Sequence, residues 1–199
     1  TVTENRLAVV VGGGRAARAG IELARHGCDD DAALDWVGIG ATRLNAAVLR
    51  CWFDHRQDAA VRDIPSTVEE AVAELEAHGR CIMGGTQPGQ TTDAVAVRLA
   101  VAVGADRCII ATNVSHVYST DPRLDPGATR FDDLTHDALI EIVGIEHSPG
   151  TSSVVDPVAT GVAKDHLLEL CVLDGLHPER IGAALSGGTF EGTRIRTVT

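Results

Sequence analysis

The chain has 199 residues, of which 44% are hydrophobic and 23% are charged, so it is long enough to build one large core in a single domain over residues 1–199. Its net charge of −11 argues against nonspecific binding to nucleic acid or to an anionic membrane, since both require a basic face. The longest apolar runs fall far short of the ~20 residues that a membrane span needs, and we expect a cytoplasmic protein.

The hydrophobic residues are mostly Ala and Val, with three Phe, two Trp and one Tyr. This composition favours thin helices packed on a parallel sheet, and so an α/β fold. No Cys-x-x-Cys or His-x-x-x-His pair occurs, and we expect the cysteines to be reduced core residues rather than metal ligands. The cysteines are Cys28, Cys51, Cys81, Cys108 and Cys171.

The first predicted element is a strand over Leu7–Val11, followed by a glycine turn and a helix that carries Arg18 near its start. Gly12, Gly14 and Ala17 satisfy the dinucleotide fingerprint, which also requires an acidic residue at the end of a second strand. The next segment is a polar loop without a strand. A phosphate at the glycine turn, with Arg18 reaching back to it, is therefore the more economical interpretation.

A second helix is predicted from Asp35 to Phe53. Asp35 either caps this helix or accepts a hydrogen bond from a ligand, and capping is favoured. Gly38 and Gly40 look like close-packing positions against a neighbour. The apolar stripe predicted for this helix consists of Val37, Ala41, Leu44, Val48 and Cys51.

A capping box, Ser66-Thr67-Val68-Glu69, opens a third helix that ends at Gly79. The strand Arg80–Met83 follows, then Gly84-Gly85 and a loop of small polar residues, and a helix starts near Thr92 and closes at Gly104. Glycines let a ligand approach the backbone, and the first N–H groups of a helix favour an anion. This stretch is either an anion or nucleotide site or an ordinary strand-to-helix turn with Thr92 as the N-cap.

A Walker A loop is excluded because the chain has no Gly-Lys pair; Lys164 is its single lysine. Cys108–Ala111 is predicted to be a buried parallel strand, and ligands bind beyond the ends of such strands. Thr112, Asn113 and Asp121 offer polar groups there and Tyr118 a stacking face, which suits an adenine and a ribose. The alternative is a turn with a half-buried tyrosine.

The remaining elements are predicted in chain order as loops, two helices, a buried strand, a last helix and an edge strand in the tail. Their predicted positions are loops over 125–127, 132–133 and 144–153, helices over 138–143 and beyond Pro157, a strand over 170–173, a helix from Pro178 to Ser186, and an edge strand over 192–195.

Taken together, these motifs resemble the archaeal type of uridylate kinase (UMP kinase) in the amino acid kinase family. The matching motifs span nearly the whole chain, and the third is the most specific. They are Val-Val-Val-Gly-Gly-Gly-x-x-Ala-Arg at 9–18, Gly-Ile-x-x-Thr-Arg-x-Asn at 38–45, Met-Gly-Gly-Thr-x-Pro-Gly-x-Thr-Thr-Asp-Ala-Val-Ala at 83–96, Ala-Thr-Asn-Val-x-x-Val-Tyr-x-x-Asp-Pro at 111–122 and Val-x-Asp-Pro at 154–157.

The resemblance implies a three-layer α/β sandwich with a mainly parallel central sheet, and transfer of the ATP γ-phosphate to UMP with the help of Mg²⁺. The N-terminal part is then the UMP side, and the part from about residue 105 is the ATP side. Homo-oligomers, often hexamers, are implied as well. The residues implied for UMP are Gly13, Asp35, Thr86, Gln87, Pro88, Gly89, Gln90, Thr91 and Thr92. Those for ATP are Gly14, Arg18, Thr112, Asn113, Tyr118 and Asp121, and those for catalysis are Arg18, Asp156 and Lys164.

The sequence departs from the family pattern in three places. The family usually has a strand, a Gly-Gly-Ser type turn and a helix ahead of the strand at Leu7, and the printed sequence contains none of these. The usual Asp-Gly before Val117-Tyr118 is Ser115-His116. The lysine usual after Asp156-Pro157 is replaced by Gly161, and Lys164 either substitutes for it or is a surface residue.

Two further hypotheses keep the fold and change the function. One is a kinase that acts on another small phosphate or carboxylate acceptor. The other is a catalytically degenerate subunit that binds nucleotide or stores an oxyanion such as molybdate.

Overall fold

The computed structural model describes residues 6–55, 63–144 and 154–197, which divide into two compact units, Thr1–Ala102 and Val103–Thr199. Most of the loop predicted over 144–153 lies outside the described residues. The elements of the first unit are β1 (Leu7–Val10), α1 (Gly14–Arg25), α2 (Asp31–His55), α3 (Val68–His78), β2 (Arg80–Met83) and α4 (Thr92–Ala102).

The first unit is built on two parallel strands, with Val9 of β1 beside Ile82 of β2. Helix α2 covers one face of this pair, where Ala46 is fully buried against Ile82. Helix α3 also contacts both strands, and α4 contacts β1. Helices α2, α3 and α4 therefore shield the two strands from water, as expected for an α/β unit.

Helix α1 lies on α2 with little space between the two backbones. A Cβ on Gly38 would stand 3.4 Å from Ile21 Cδ1, and one on Gly20 would stand 3.0 Å from Val37 Cγ1. Close packing at Gly38 is thus confirmed. The same expectation for Gly40 is wrong within this chain, because a Cβ there would have no neighbour within 4 Å.

Helix α2 starts earlier than predicted and turns a different face to the core. It begins at Asp31, after Asp30, whose Oδ1 accepts from the Ala32 N–H at 3.1 Å. The predicted core stripe is wrong, since Leu44 and Val48 on it are 60% and 46% exposed. Apolar residues occur all round this helix, so periodicity alone does not say which face meets the sheet. The buried residues of α2 are Leu34, Ile39, Thr42 and Ala46.

Two caps sit one residue away from their predicted places. Thr67, not Ser66, caps α3, since its hydroxyl accepts from the Glu70 N–H at 3.1 Å, and the Glu70 carboxylate reaches back to the Ser66 N–H at 2.7 Å. The left-handed Gly79 closes this helix as predicted, with φ +70°. Thr91, not Thr92, caps α4, because its hydroxyl accepts from the Ala94 N–H at 3.2 Å.

The second unit contains a four-stranded sheet, whose strands lie side by side in the order Arg107–Thr112 (β3), Glu169–Asp174 (β7), Thr193–Ile195 (β8) and Asp133–Leu134 (β6). Strands β3 and β7 run parallel over six residue pairs. Strand β8 lies between β7 and β6, so the predicted edge position of the tail strand is wrong. Asp133, predicted to lie in a loop, belongs to β6. The elements are β3 (Arg107–Thr112), β4 (Val117–Tyr118), β5 (Arg130–Phe131), β6 (Asp133–Leu134), α5 (His136–Val143), α6 (Pro157–Asp165), β7 (Glu169–Asp174), α7 (Pro178–Leu185) and β8 (Thr193–Ile195).

Helix α7 packs on this sheet through the buried Ala184, against Cys171 and Leu173 of β7. The mainly parallel α/β class is confirmed. Cys81, Cys108 and Cys171 are buried as predicted, whereas Cys51 is exposed. Burial raises the pKa of the Cys81 thiol to about 11 and that of Cys171 to about 12, so both stay protonated and unreactive at neutral pH. None of the described helices combines the length and the hydropathy required to cross a membrane.

Candidate functional site

The loop over residues 84–92, between β2 and α4, is fixed to α2 by one buried hydroxyl. Thr42 Oγ1 accepts from the Gly85 N–H at 2.7 Å and donates to the Ile39 carbonyl at 2.6 Å. A Cβ on Gly84 would lie 2.6 Å from that oxygen and 2.9 Å from the Arg43 backbone nitrogen. The approach of β2 to α2 therefore requires glycine at position 84.

Arg43 holds the same loop from the next position of α2. Its Nε donates to the Gly85 carbonyl and its Nη2 to the Thr86 carbonyl, both at 3.2 Å, and Nη2 also reaches the Ser66 carbonyl at 3.5 Å. A half-buried guanidinium bonded to carbonyl oxygens brings positive charge to a loop that has no basic residue of its own. Arg43 lies in the 38–45 motif, but the sequence predicted no role for it in the site, because its partners are backbone carbonyls.

Asp35 reaches the far end of the loop. Its Oδ2 accepts from the Gly89 N–H at 2.7 Å, and Gly89 has φ +78°, a left-handed conformation that favours glycine. The predicted capping role for Asp35 is wrong, because Asp30 fills it. Within the loop, the Thr86 hydroxyl donates to Gln90 Oε1 at 3.1 Å. The structure thus ties Asp35 to the 86–92 loop through Gly89, which lies 54 residues further along the chain.

The glycine turn after β1 is held by the same helix. Asn45 Nδ2 donates to the Gly12 carbonyl at 2.8 Å and to the Gly13 carbonyl at 3.1 Å. A Cβ on Gly13 would collide with Ala17, and one on Gly12 would lie 3.7 Å from the hydroxyl of Thr92. The turn therefore lies against the start of α4, and the two glycine-containing segments of the first unit face one another.

Helix α1 opens at this turn without a side-chain cap, since Gly13 occupies the N-cap position. Gly14, with φ +55°, is its first residue, and Arg18 follows about one turn later with an exposed side chain. Uncapped N–H groups at a helix start attract anions, and a guanidinium one turn along adds charge on the same side. This end of α1 can accept a phosphate group.

The polar residues predicted at the end of β3 all lie in the second unit. The Thr112 carbonyl accepts from the Gly175 N–H at 2.8 Å, and Asn113 is exposed. Asp121 forms a two-pronged ion pair with Arg123, whose Nε and Nη2 donate to Oδ1 and Oδ2 at 3.0 Å each. These hydrogen bonds lower the pKa of the Asp121 carboxyl, which is therefore ionised at neutral pH.

Tyr118 is joined to a chain of three further polar side chains. Its hydroxyl lies 3.0 Å from Ser115 Oγ, which lies 3.0 Å from His116 Nδ1, and His116 Nε2 lies 3.4 Å from Asp132 Oδ1. His116 is only 2% exposed. Burial, followed by the charge of Arg130, lowers its pKa, so the ring is neutral at neutral pH.

The carboxylate at the end of this chain favours one direction for its hydrogen bonds. The Asp132 carboxylate accepts only, which favours the neutral His116 tautomer with its proton on Nε2; Nδ1 of that tautomer accepts from the Ser115 hydroxyl. Ser115 Oγ then accepts from Tyr118, whose oxygen keeps a lone pair for an outside donor. Ser115-His116, one of the departures from the family pattern, thus fills a buried position and orients Tyr118.

The two remaining residues expected to be catalytic already have partners. Asp156 is the N-cap of α6, where its Oδ1 accepts from the Ala159 N–H at 2.9 Å. Lys164 Nζ pairs with Asp137 Oδ1 at 2.6 Å, which raises the pKa of the lysine. A role in group transfer requires this ammonium to leave Asp137. Over the described ranges, no three His, Cys, Asp or Glu side chains come together as a metal site.

The chain is similar to the amino acid kinase family and to uridylate kinases of archaea. The profile of the amino acid kinase family matches residues 2–174. The uridylate kinase of Methanococcoides burtonii is 40% identical over 179 residues, which cover 89% of this chain and 75% of that protein. The uridylate kinase of Natronomonas pharaonis is 41% identical over 192 residues, which cover 96% of this chain and 83% of that protein.

Solved structures agree with the sequence relatives. The crystal structure of uridylate kinase from Archaeoglobus fulgidus matches with a TM-score of 0.84 and 39% identity, covering 96% of this chain and 85% of that one. The UMP kinase of Bacillus anthracis matches with a TM-score of 0.77 at 24% identity, which shows the shared fold.

A methyl group at position 84 tests the close approach of β2 and α2. We expect Gly84→Ala to lower the free energy of unfolding by about 1–3 kcal/mol, because Thr42 and the Arg43 backbone have to move away from the new Cβ. Gly182→Ala, inside α7 with open space around it, is the matched control and should be neutral or stabilising. Urea unfolding measures both, and equal stabilities of the two variants would contradict the packing.

The buried His116 predicts a pH dependence of stability. Its pKa is lowered in the folded chain, so below about pH 6.5 the unfolded chain binds a proton at this histidine more readily than the folded chain does. The free energy of unfolding should then fall as pH drops below that value, and less steeply in His116→Gln than in the wild type. Urea unfolding over a pH series decides this, and a slope that His116→Gln leaves unaltered would refute it.

Proposed function

The chain belongs to the amino acid kinase family, and from this premise we propose that it transfers the γ-phosphate of ATP to UMP, giving UDP and ADP. The observation that carries the proposal is the loop over residues 84–92, which is held against α2. This loop is rich in glycine and threonine and has no basic residue. The chain that contains it is about 40% identical to proteins named uridylate kinase. This transfer would place the protein in pyrimidine nucleotide biosynthesis.

The acceptor UMP is proposed to bind in the first unit, at Gly13, Asp35 and the loop from Thr86 to Thr92. Backbone N–H groups at the starts of α1 and α4 suit its phosphate. The hydroxyls and amides of the loop suit the uracil edge, which both donates and accepts hydrogen bonds. The loop residues in this proposal are Thr86, Gln87, Pro88, Gly89, Gln90, Thr91 and Thr92.

ATP is proposed to use Gly14 and Arg18 for its phosphates. The adenine and ribose are assigned to Thr112, Asn113 and the Tyr118 segment, with Asp121 as a hydroxyl acceptor once it is released from Arg123. The outward lone pair of Tyr118 suits a donor such as the adenine amino group. These assignments rest on the family motifs, supported by the polarity of the side chains.

Transfer of the phosphoryl group requires two anions in line and neutralisation of the charge that gathers between them. The helix starts, the glycine turns and Arg18 are proposed to supply this stabilisation, with Asp156 holding the start of α6. Mg²⁺ would bind together with ATP and neutralise charge on its phosphates. Such a cation needs only one or two protein carboxylates besides the substrate phosphates. Lys164 is proposed as an additional cation that leaves Asp137 when the phosphates bind.

The setting of this activity is also proposed. We infer a cytoplasmic enzyme that acts as a single domain and assembles as a homo-oligomer, a hexamer by family resemblance. Its partners are then UMP, ATP and copies of itself, with no nucleic acid and no membrane. The acidic net charge of −11 supports this, because polyanionic partners would be repelled.

The activity is tested by measuring ADP release with a coupled assay in the presence of ATP and Mg²⁺, once with UMP and once without it. Release should depend on UMP, and Arg18→Ala should lower kcat about 10²-fold because one stabilising cation is lost. Arg25→Ala, in the last turn of the same helix, is the control and should retain the wild-type rate. Release at the same rate without UMP would show hydrolysis of ATP by water rather than transfer to UMP, and would contradict the proposal. Melting temperatures raised by molybdate but not by UMP would point to a storage subunit.

The acceptor loop gives a second test. Asp35→Asn keeps the side-chain shape but weakens the charge-assisted bond to the Gly89 N–H, so the loop should be less well ordered for UMP. We expect the KM for UMP to rise about tenfold, which corresponds to a loss of roughly 1.4 kcal/mol in binding free energy. The KM for ATP should stay unchanged. Asp31→Asn, one turn earlier on α2, is the control. Equal changes in both KM values would contradict the assignment of Asp35 to UMP.

A further inference from the structure

The hydroxyl of Tyr118 ends a chain of hydrogen bonds that begins at a buried histidine. Both ring nitrogens of His116 are engaged, Nδ1 at 3.0 Å from Ser115 Oγ and Nε2 at 3.4 Å from Asp132 Oδ1, and the residue is buried. Arg130 Nε lies 3.1 Å from the same oxygen of Asp132 and holds the carboxylate in place. The inner end of the chain is therefore fixed, and Ser115 Oγ, 3.0 Å from the Tyr118 hydroxyl, passes its direction on to the tyrosine.

The position of the Tyr118 ring is set by its strand and by packing. Strand β4 is anchored by the buried Thr193, whose hydroxyl accepts from the Val117 N–H at 2.8 Å and donates to the Phe131 carbonyl at 2.5 Å. The rings of His116 and Tyr118 meet edge to face, with 6.3 Å between their centroids. Strand and packing thus place the phenol ring, while the chain of hydrogen bonds decides where its proton points.

The direction of this proton decides which group the tyrosine can bind outside the chain. When Ser115 donates to the neutral His116, its oxygen accepts from Tyr118, so the outward side of the phenol oxygen offers a lone pair and no proton. Adenine carries at C6 an amino group, which donates a hydrogen bond, whereas guanine carries there a carbonyl oxygen, which accepts one. Two acceptors that face each other are both left unpaired, and this mismatch disfavours guanine.

We propose that Ser115 and His116 select the donor nucleotide of this chain, favouring a 6-aminopurine nucleotide such as ATP over a 6-oxopurine nucleotide such as GTP. They are positioning residues, because they act through the hydroxyl of Tyr118. The inference rests on the ATP site of the proposed function and goes beyond it, since it assigns the discrimination between purines to two residues that stand where the family usually has Asp-Gly. Glycine at position 116 offers no imidazole, so this control depends on residues particular to this chain.

The same chain of hydrogen bonds predicts that acid weakens the preference. A protonated His116 donates from both ring nitrogens, so Ser115 Oγ accepts from Nδ1 and turns its own proton toward Tyr118. The tyrosine proton then points outward, where the carbonyl oxygen of guanine can accept it. Burial, the largest influence, lowers the pKa of His116, so this change should occur below about pH 6.5. The charged groups that face His116 are Arg130 of β5 and Arg180 of α7, which oppose its protonation, and Asp132 and Glu191, which favour it.

Direct binding tests the proposal without relying on phosphate transfer. Dissociation constants for ATP and GTP are measured by titration calorimetry with Mg²⁺ at about pH 8, without UMP, and the wild type should bind ATP about tenfold more tightly. Tyr118→Phe should remove this preference, chiefly by weakening the binding of ATP. Ser115→Ala should remove it in the opposite way, by strengthening the binding of GTP, because the released hydroxyl can donate to the carbonyl oxygen.

The matched control is Ser186→Ala, which removes an exposed hydroxyl at the end of α7 and should keep the wild-type ratio of the two constants. Circular dichroism shows whether each variant is folded. Equal binding of ATP and GTP by the wild type, binding of neither nucleotide, or a Ser115→Ala variant with the wild-type ratio would overturn the proposal.

A second measurement reads the direction of the chain itself. In a long-range proton–nitrogen NMR spectrum at about pH 8, the ring of His116, identified by its loss in His116→Gln, should carry its proton on Nε2. Its Nδ1 signal should shift in Ser115→Ala, because that nitrogen loses its hydrogen bond. A proton on Nδ1 at this pH would refute the direction on which the selection depends.

The pH dependence of binding completes the test. Lowering the pH to about 5.5 should reduce the preference of the wild type for ATP and leave the Ser115→Ala ratio unaltered, and equal wild-type ratios at both pH values would contradict the role of His116. Equal use of ATP and GTP in UMP-dependent transfer would refute this inference and leave the proposed function standing. A binding preference for ATP without UMP-dependent ADP release would do the reverse.

Discussion

The hydroxyl of Thr42 is the contact on which the first unit depends. It bridges the Ile39 carbonyl of its own helix and the Gly85 N–H that follows β2, so that sheet and helix share one buried hydrogen-bonded atom. This bridge is possible because Gly84 has no Cβ to occupy the space. A bulkier residue at 84, or a side chain without a hydroxyl at 42, would leave a buried backbone group unsatisfied or separate the helix from the strand.

Around this contact, the helical period gathers the other groups that shape the site. Asp35, Arg43 and Asn45 project from the same half of α2 as Thr42, and each binds a different backbone segment: Gly89, Gly85 with Thr86, and Gly12 with Gly13. One rigid helix thus positions two glycine-containing loops. An acidic protein can bind anions in this way, because the local field comes from helix starts and one held guanidinium rather than from the net charge.

Strands β1 and β2, the glycine turns and the 84–92 loop could be predicted from the sequence because each is marked locally, by an apolar run that stops at glycine. The two-residue strands β4, β5 and β6 could not, since they are too short to show a period. The roles of Asp35 and of the caps could not. Asp35 looks like a cap until the start of α2 is known, since a carboxylate near a helix start serves either purpose. Thr91 and Thr92 are chemically equivalent candidates, and only the backbone shows that the Thr91 hydroxyl meets the Ala94 N–H. The use of Arg43 was hidden because its partners are carbonyls far along the chain, and carbonyls leave no signature in a sequence.

The predicted stripe on α2 is the instructive error. Leu44 and Val48 have the period of a core-facing helix, yet in this chain the core receives Leu34, Ile39 and Ala46 instead. A helix that is apolar on both sides is typical of one buried on both sides, and the described residues of this chain cover only one side of α2. The apolar period of a helix therefore reports burial without saying which part of a molecule, or which molecule, provides it.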